Sequence, residues 1–76
     1  RMKEKIYTLE EFRLWVKIQL IKKGISQNEL ARRMGIPQAR ISEATHGKQS
    51  GNKYITSIIQ ELGGDIENFK EFLKAV

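Results

Sequence analysis

Cysteine is absent from this chain, proline occurs once, and no apolar run is long enough to cross a bilayer. Without cysteine there is no disulfide framework and no thiolate metal site, so the fold stands on its apolar core alone, as that of a cytosolic protein does. The longest nearly apolar stretch, Phe12–Ile21, is broken by Arg13, Lys17 and Gln19. The basic start, residues 1–5, is not followed by a signal-peptide core, so the expectation is a chain that neither spans a membrane nor is addressed for export. Histidine occurs once, as His46, which leaves a metal site almost no ligands to draw on. Length is scarce as well. The 76 residues make one small domain. Such a domain buries only about 60% of its unfolded surface, so a catalytic cavity competes with the core for the same side chains. No nucleophile, base and orienter share a motif, and no glycine loop is shaped to cradle a phosphate. The expectation is a binding protein rather than an enzyme, with no cofactor, no metal and no small-molecule substrate.

What is present is positive charge, unevenly placed. Fourteen Lys and Arg face 9 Asp and Glu, for a net charge of +5. Residues 1–53 hold 12 basic and 5 acidic side chains, a balance of +7, whereas residues 54–76 hold 2 and 4, a balance of −2. A polyanion is drawn to the first part and not to the second, which suits nucleic acid or an anionic membrane surface. A solvated basic face without a partner gives the same count.

Capping signals divide the chain into helices. Thr8-Leu-Glu-Glu11 has the Ser/Thr-x-x-Glu form of a capping box, predicting a helix from Leu9 that ends at Gly24. This helix carries Leu9, Phe12, Leu14, Trp15, Val16, Ile18, Leu20 and Ile21, too much apolar surface for one stripe, so more than one of its faces is expected to be covered. The same box recurs at Ser26-Gln-Asn-Glu29, opening a short helix with Leu30, Ala31 and Met34 inward and Arg32 and Arg33 outward, ended by Gly35. Gly35-Ile36-Pro37 forces a sharp turn, and a third helix runs from Pro37 or Gln38 to His46 and stops at Gly47. Residues 47–52 contain two glycines and no apolar side chain and are expected to form a loop. Tyr54, Ile55, Ile58, Ile59 and Leu62 mark a fourth helix ending at Gly63-Gly64, and Asp65 caps a fifth with Ile66, Phe69, Phe72 and Leu73 inward. The pattern is all-α, with no strand periodicity and no repeat.

The segment Ser26–Gly47 holds two short helices meeting through a tight glycine turn, with small Ala31 allowing close approach and Ile36 and Ile41 filling the angle. That is a helix-turn-helix by its own chemistry. It also closely resembles the helix-turn-helix of the phage repressor and Cro (XRE-type) family, with Gln27, Leu30, Ala31, Gly35, Ile36, Ile41, Ser42 and Gly47 matching the family pattern. The likeness extends over roughly residues 9–73. It implies a five-helix, lambda-repressor-like domain over residues 9–74 preceded by an arm, residues 1–8, in which Arg1 ahead of Met2 reads as the remnant of an expression tag.

The resemblance implies a mode of action. The third helix enters the major groove of double-stranded DNA, and the positions that meet bases are Gln38, Ala39, Arg40 and Glu43. Glutamine matches adenine, arginine guanine, glutamate the cytosine amine, and alanine the thymine methyl. Phosphate contacts fall to Gln27 at the start of the second helix, to His46 in the place where the family often has Asn, and to Lys48, Gln49, Ser50, Asn52 and Lys53. Alternatives stand beside these roles: Arg32 and Arg33 also read as plain solvated helix formers, Glu43 as a repeller of phosphate or the partner of Arg40, and Trp15 as core. Phe69, Phe72 and Leu73 read equally as core or as a dimer contact. The family often pairs an Arg with a Glu where this chain has Leu20 and Thr45, so both members of that ion pair are replaced together.

The function implied is a sequence-specific regulator of transcription, a repressor or Cro-like protein of a phage or mobile element, acting in the bacterial cytoplasm on the nucleoid as a homodimer. The alternatives are an antitoxin or restriction-modification controller of the same fold, and a protein-interaction module that has lost DNA binding.

Overall fold

The computed structural model describes residues 5–76, so the reading of Arg1 and Met2 falls outside the described residues. Five α-helices follow one another: α1 Leu9–Lys23, α2 Gln27–Met34, α3 Gln38–Thr45, α4 Ile55–Glu61 and α5 Lys70–Lys74. Two 3-10 helices, Gln49–Tyr54 and Ile66–Phe69, precede α4 and α5. No strand occurs among the described residues, and the domain is all-α as expected.

The ends of α1 and α2 follow from their capping residues. Thr8 Oγ1 accepts from the Glu11 amide at 3.1 Å while the Glu11 carboxylate accepts from the Thr8 amide at 3.1 Å, closing the reciprocal box. Ser26 Oγ likewise accepts from the Glu29 amide at 3.0 Å. The return half expected there is not made, because the Glu29 carboxylate turns to Arg32 and Arg33 instead. Both helices close in the same way. Gly24 and Gly35 take φ of 67° and 70°, a left-handed geometry favouring glycine, and the next amides, of Ile25 and Ile36, reach back to the Leu20 and Ala31 carbonyls at 3.1 Å.

The core runs between the helices. Phe12 is fully buried, stacks on Phe72 with ring centroids 5.1 Å apart, and meets the edge of Phe69 at 6.3 Å. Trp15 packs edge-to-face on Phe69 at 4.8 Å, so the aromatic residues near the C-terminus are core and Trp15 joins them. Leu30, Ala31, Ile41 and Ala44 bring the helix-turn-helix onto Ile55, Ile58 and Ile59 of α4. Ile6 belongs to the stretch read as an arm, yet it is buried in this core and its amide donates to the Asn68 carbonyl at 2.8 Å.

Three expectations need correction. Only one face of α1 is covered: Phe12 and Val16 are buried, while Leu14, Ile18 and Ile21 stand exposed. The fifth helix begins as a 3-10 turn, with Asp65 accepting from the Glu67 amide at 3.0 Å, before α5 starts at Lys70. The expected loop over residues 47–52 is mostly the 3-10 helix Gln49–Tyr54, with Gly51 buried. Its ordering has a steric cause. A Cβ at Gly51 would stand 2.6 Å from both Ala44 Cα and the Glu43 carbonyl carbon, so only glycine lets this backbone lie directly on α3.

Gly51→Ala is therefore expected to destabilise the domain by about 2–4 kcal/mol, since rigid backbone must move to admit a methyl group. The urea midpoint of the purified variant checks this, and a midpoint equal to the parent's would refute the close contact.

Candidate nucleic-acid interface

Pro37 places α3. With φ at −64° it stands at the N-cap position, where its missing amide costs nothing, and its carbonyl accepts from the Arg40 amide at 3.0 Å. The inner side of α3 is fixed by Ile41, Ala44 and Thr45, all buried. Thr45 Oγ1 donates to the Ser42 carbonyl at 3.0 Å, and Arg13 Nη1 of α1 donates to the Thr45 carbonyl at 2.9 Å. A cation thus meets the C-terminal carbonyls of α3, where the helix dipole is negative. The cationic support of α3 comes from Arg13 in a chain that has Leu20 and Thr45 in the positions of the family's ion pair.

The outer side of α3 carries the expected base-reading residues. Gln38 and Ala39 are exposed in its first turn. Arg40 and Glu43 are half-buried and joined: Arg40 Nη1 donates to Glu43 Oε1 at 2.7 Å, and Ser50 Oγ donates to the same oxygen at 2.9 Å. Glu43 therefore links α3 to the 3-10 helix as well as to Arg40, the pairing that the sequence left open. The Ser50 hydroxyl, followed by the Arg40 guanidinium, holds the Glu43 carboxyl below its ordinary range. Glu43 in turn raises the affinity of Arg40 for its proton, with Tyr54 adding a smaller effect. Tyr54 gave no signal in the sequence beyond its apolar spacing, yet it stands beside Arg40 and carries Lys53 Nζ 5.4 Å above its ring.

The expected phosphate-contacting residues surround this helix. Gln27 is half-buried at the first position of α2, where backbone amides lack helical partners. His46 caps α3 and is exposed, with Nδ1 donating to the Ser42 carbonyl at 2.8 Å. Lys48 is exposed and its amide donates to the Glu43 carbonyl at 2.9 Å. Gln49, Ser50 and Lys53 are exposed on the 3-10 helix, and Asn52 is half-buried. Arg32 and Arg33 point outward as expected, but both are anchored: Glu29 takes Arg32 through two bonds of 3.0 and 2.8 Å and Arg33 through one of 3.0 Å. The arginine contacts hold Glu29 below the usual carboxylate range. Lys48 and Lys53 are exposed beside α3, Lys48 near enough to add to the lowering of the Glu43 carboxyl and Lys53 over the Tyr54 ring.

Two short helices set at a glycine turn, with an exposed polar first turn on the second and cations around it, define a helix-turn-helix DNA-binding domain. Comparison with protein families agrees, a helix-turn-helix model matching residues 16–67, more than half of the chain. The chain belongs to this XRE-type, Cro-like helix-turn-helix family. No curated protein and no solved structure matches it. No helix among the described residues is long and apolar enough to cross a membrane. Nor do three or more His, Asp or Glu side chains gather among them as a metal site would require.

Glu11, Glu29 and Glu43 all titrate below the ordinary carboxylate value of 4.5, each through hydrogen bonds of its charged form. A carboxylate depressed on folding stabilises the native state above its unfolded pKa, and that contribution is lost as pH falls through the lower folded value. The melting temperature is thus expected to fall on acidification below about pH 4.5. Replacing Glu29 or Glu43 by Gln flattens that decline, since an amide does not titrate. Identical acid limbs for parent and variants, followed by circular dichroism, would contradict these pairings.

Proposed function

We propose that this chain is a sequence-specific, double-stranded DNA-binding regulator of transcription, a repressor or Cro-like protein of a phage or mobile element, that inserts α3 into the major groove. The observation that carries the reading is the exposed first turn of α3, where Gln38 and Ala39 project from a helix held on three sides by α1, α2 and the 3-10 helix. A rigid helix with free polar tips is what base readout requires, because each bidentate contact tolerates little displacement. In this reading Gln38 pairs with adenine, Ala39 touches a thymine methyl, and Glu43 accepts from a cytosine amine through the carboxylate oxygen that Arg40 and Ser50 leave free. Arg40, anchored to Glu43, reads guanine with its remaining donors.

Phosphate contacts from Gln27, His46, Lys48, Gln49, Ser50, Asn52 and Lys53 fix the docking register. The protein acts by binding, without catalysis or cofactor, on the bacterial nucleoid. Two copies occupy half-sites about one helical turn apart, as groove geometry demands of paired recognition helices.

Selection of bound sequences from a random duplex pool, followed by titration of the winner, tests this. A palindromic winner is expected. Gln38→Ala is expected to cost about 1–3 kcal/mol on that sequence and to relax the preference at one base pair per half-site. Lys48→Ala and Lys53→Ala weaken all sequences alike and lower the slope of log affinity against log salt by about 1 each. No enriched sequence, or binding indifferent to salt, would overturn the reading.

A further inference from the structure

One surface is left unused by the DNA-binding reading. Leu14, Ile18 and Ile21 are 56%, 39% and 70% exposed, and their spacing of four and three puts them within about 60° of the circumference of α1. They lie opposite Phe12 and Val16, which face the core. The stripe continues into a groove that Leu14 and Ile18 line together with Trp15 and Gly64. It is not one of the scattered single apolar residues that any surface shows, but a row along a 15-residue helix.

The charges around the stripe reverse along its length. α1 has Glu10 and Glu11 in its first turn, Lys17 beside Leu14 and Ile21 at its middle, and Lys22 and Lys23 in its last turn, so its two ends are opposite in sign. Glu11 and Lys22 border the same edge of the stripe, three turns apart. A surface built for an acidic or a basic partner carries one sign. A surface whose sign inverts from end to end complements itself under a two-fold rotation.

We propose that the outer face of α1 is a self-association surface, on which a second copy of this chain packs its own α1 antiparallel. With the two-fold axis passing between Lys17 and Ile18, Leu14 meets Ile21 of the second copy, Ile18 lies one residue from its counterpart, and Glu11 falls within a turn of Lys22 of the second copy at both ends, while the two Lys17 side chains reach to solvent at the opposite edge. The capping bonds to Tyr7 and Thr8 use only Oε1 of Glu11, which leaves Oε2 for this pair. The core-facing side of α1 carries the packing on α3, so an association through the opposite face leaves Gln38 and Ala39 uncovered. The inference deepens the two-copy mode of the proposed function and rests on that reading only for its use on DNA; the association itself is a property of the free chain.

Sedimentation equilibrium of the whole chain without DNA tests it. The parent is expected to dimerise with a dissociation constant of roughly 10–100 μM, in keeping with a small interface. Ile18→Lys raises that constant by at least about tenfold while the helical circular dichroism and melting temperature stay at parental values, because the side chain is already exposed. Lys22→Glu, which sets like charges against each other, weakens the dimer by about threefold or more at low salt, an effect that fades as salt screens it. A parent that stays monomeric to about 1 mM, or an Ile18→Lys variant that associates like the parent, overturns the proposal. Binding of the Ile18→Lys variant to a single half-site duplex reports separately on the DNA reading: unchanged half-site affinity with lost association places the defect at this surface alone, and absence of half-site binding in parent and variant alike condemns the DNA reading and leaves the association result standing.

Discussion

The backbone of Gly51 rests directly on that of Ala44 and Glu43 of α3, leaving no room for a Cβ between them. That contact, with Tyr54 packed on the core at its far end, seats a mostly polar segment as an ordered 3-10 helix, and it sets the level at which Ser50, Asn52 and Lys53 stand beside α3. Helix α3 has only eight residues, a length at which an isolated helix does not persist in water. Its persistence comes from outside: Ile41 and Ala44 in the core, Arg13 on its last carbonyls, Gly51 against its final turn. The direction of its exposed first turn is therefore a tertiary property, set at the opposite end of the same helix.

Two carboxylates organise the basic face. Glu29 gathers Arg32 and Arg33, and Glu43 gathers Arg40 and Ser50. Exposed pairs of this kind add little to stability, typically below about 1 kcal/mol each. Their larger effect is on geometry, because an arginine held at one end by a carboxylate loses much of the rotamer freedom that a later contact would otherwise have to restrict. Among the described residues before residue 54, Arg32, Arg33 and Arg40 are anchored to carboxylates and Arg13 to the Thr45 carbonyl, so each guanidinium is already oriented at one end, which suits directed contacts.

The parts legible in the sequence were those governed by neighbours along the chain. Thr8, Ser26, Gly24 and Gly35 announce helix ends because a cap is a bond across two to five residues, and the turn at Gly35-Ile36-Pro37 follows from backbone sterics. The parts that were not legible depend on residues far away. Gly51 looks like a loop glycine until α3 lies against it, Arg13 looks like a surface cation until the Thr45 carbonyl reaches it, and Ile6 looks like part of an arm until Asn68 accepts its amide. Composition misled in one place: α1 is apolar on two sides, yet one chain covers a single side. At the candidate site, the side chains of α3 were readable from the motif, whereas the bond between Arg40 and Glu43 was only one of two readings of the same spacing.

The bond between Ile6 and Asn68 has a bearing on how the molecule comes together. Nearly the whole chain lies between its two ends, and the stacking of Phe12 on Phe72 spans almost as much. Loop closure over such distances carries the largest entropy, whereas the contacts joining α2, α3 and the 3-10 helix link segments adjacent along the chain. The helix-turn-helix and the 3-10 helix are thus assembled from short-range contacts and the aromatic seam from long-range ones. The order of events this favours puts the helix-turn-helix ahead of the seam that fastens the two ends together.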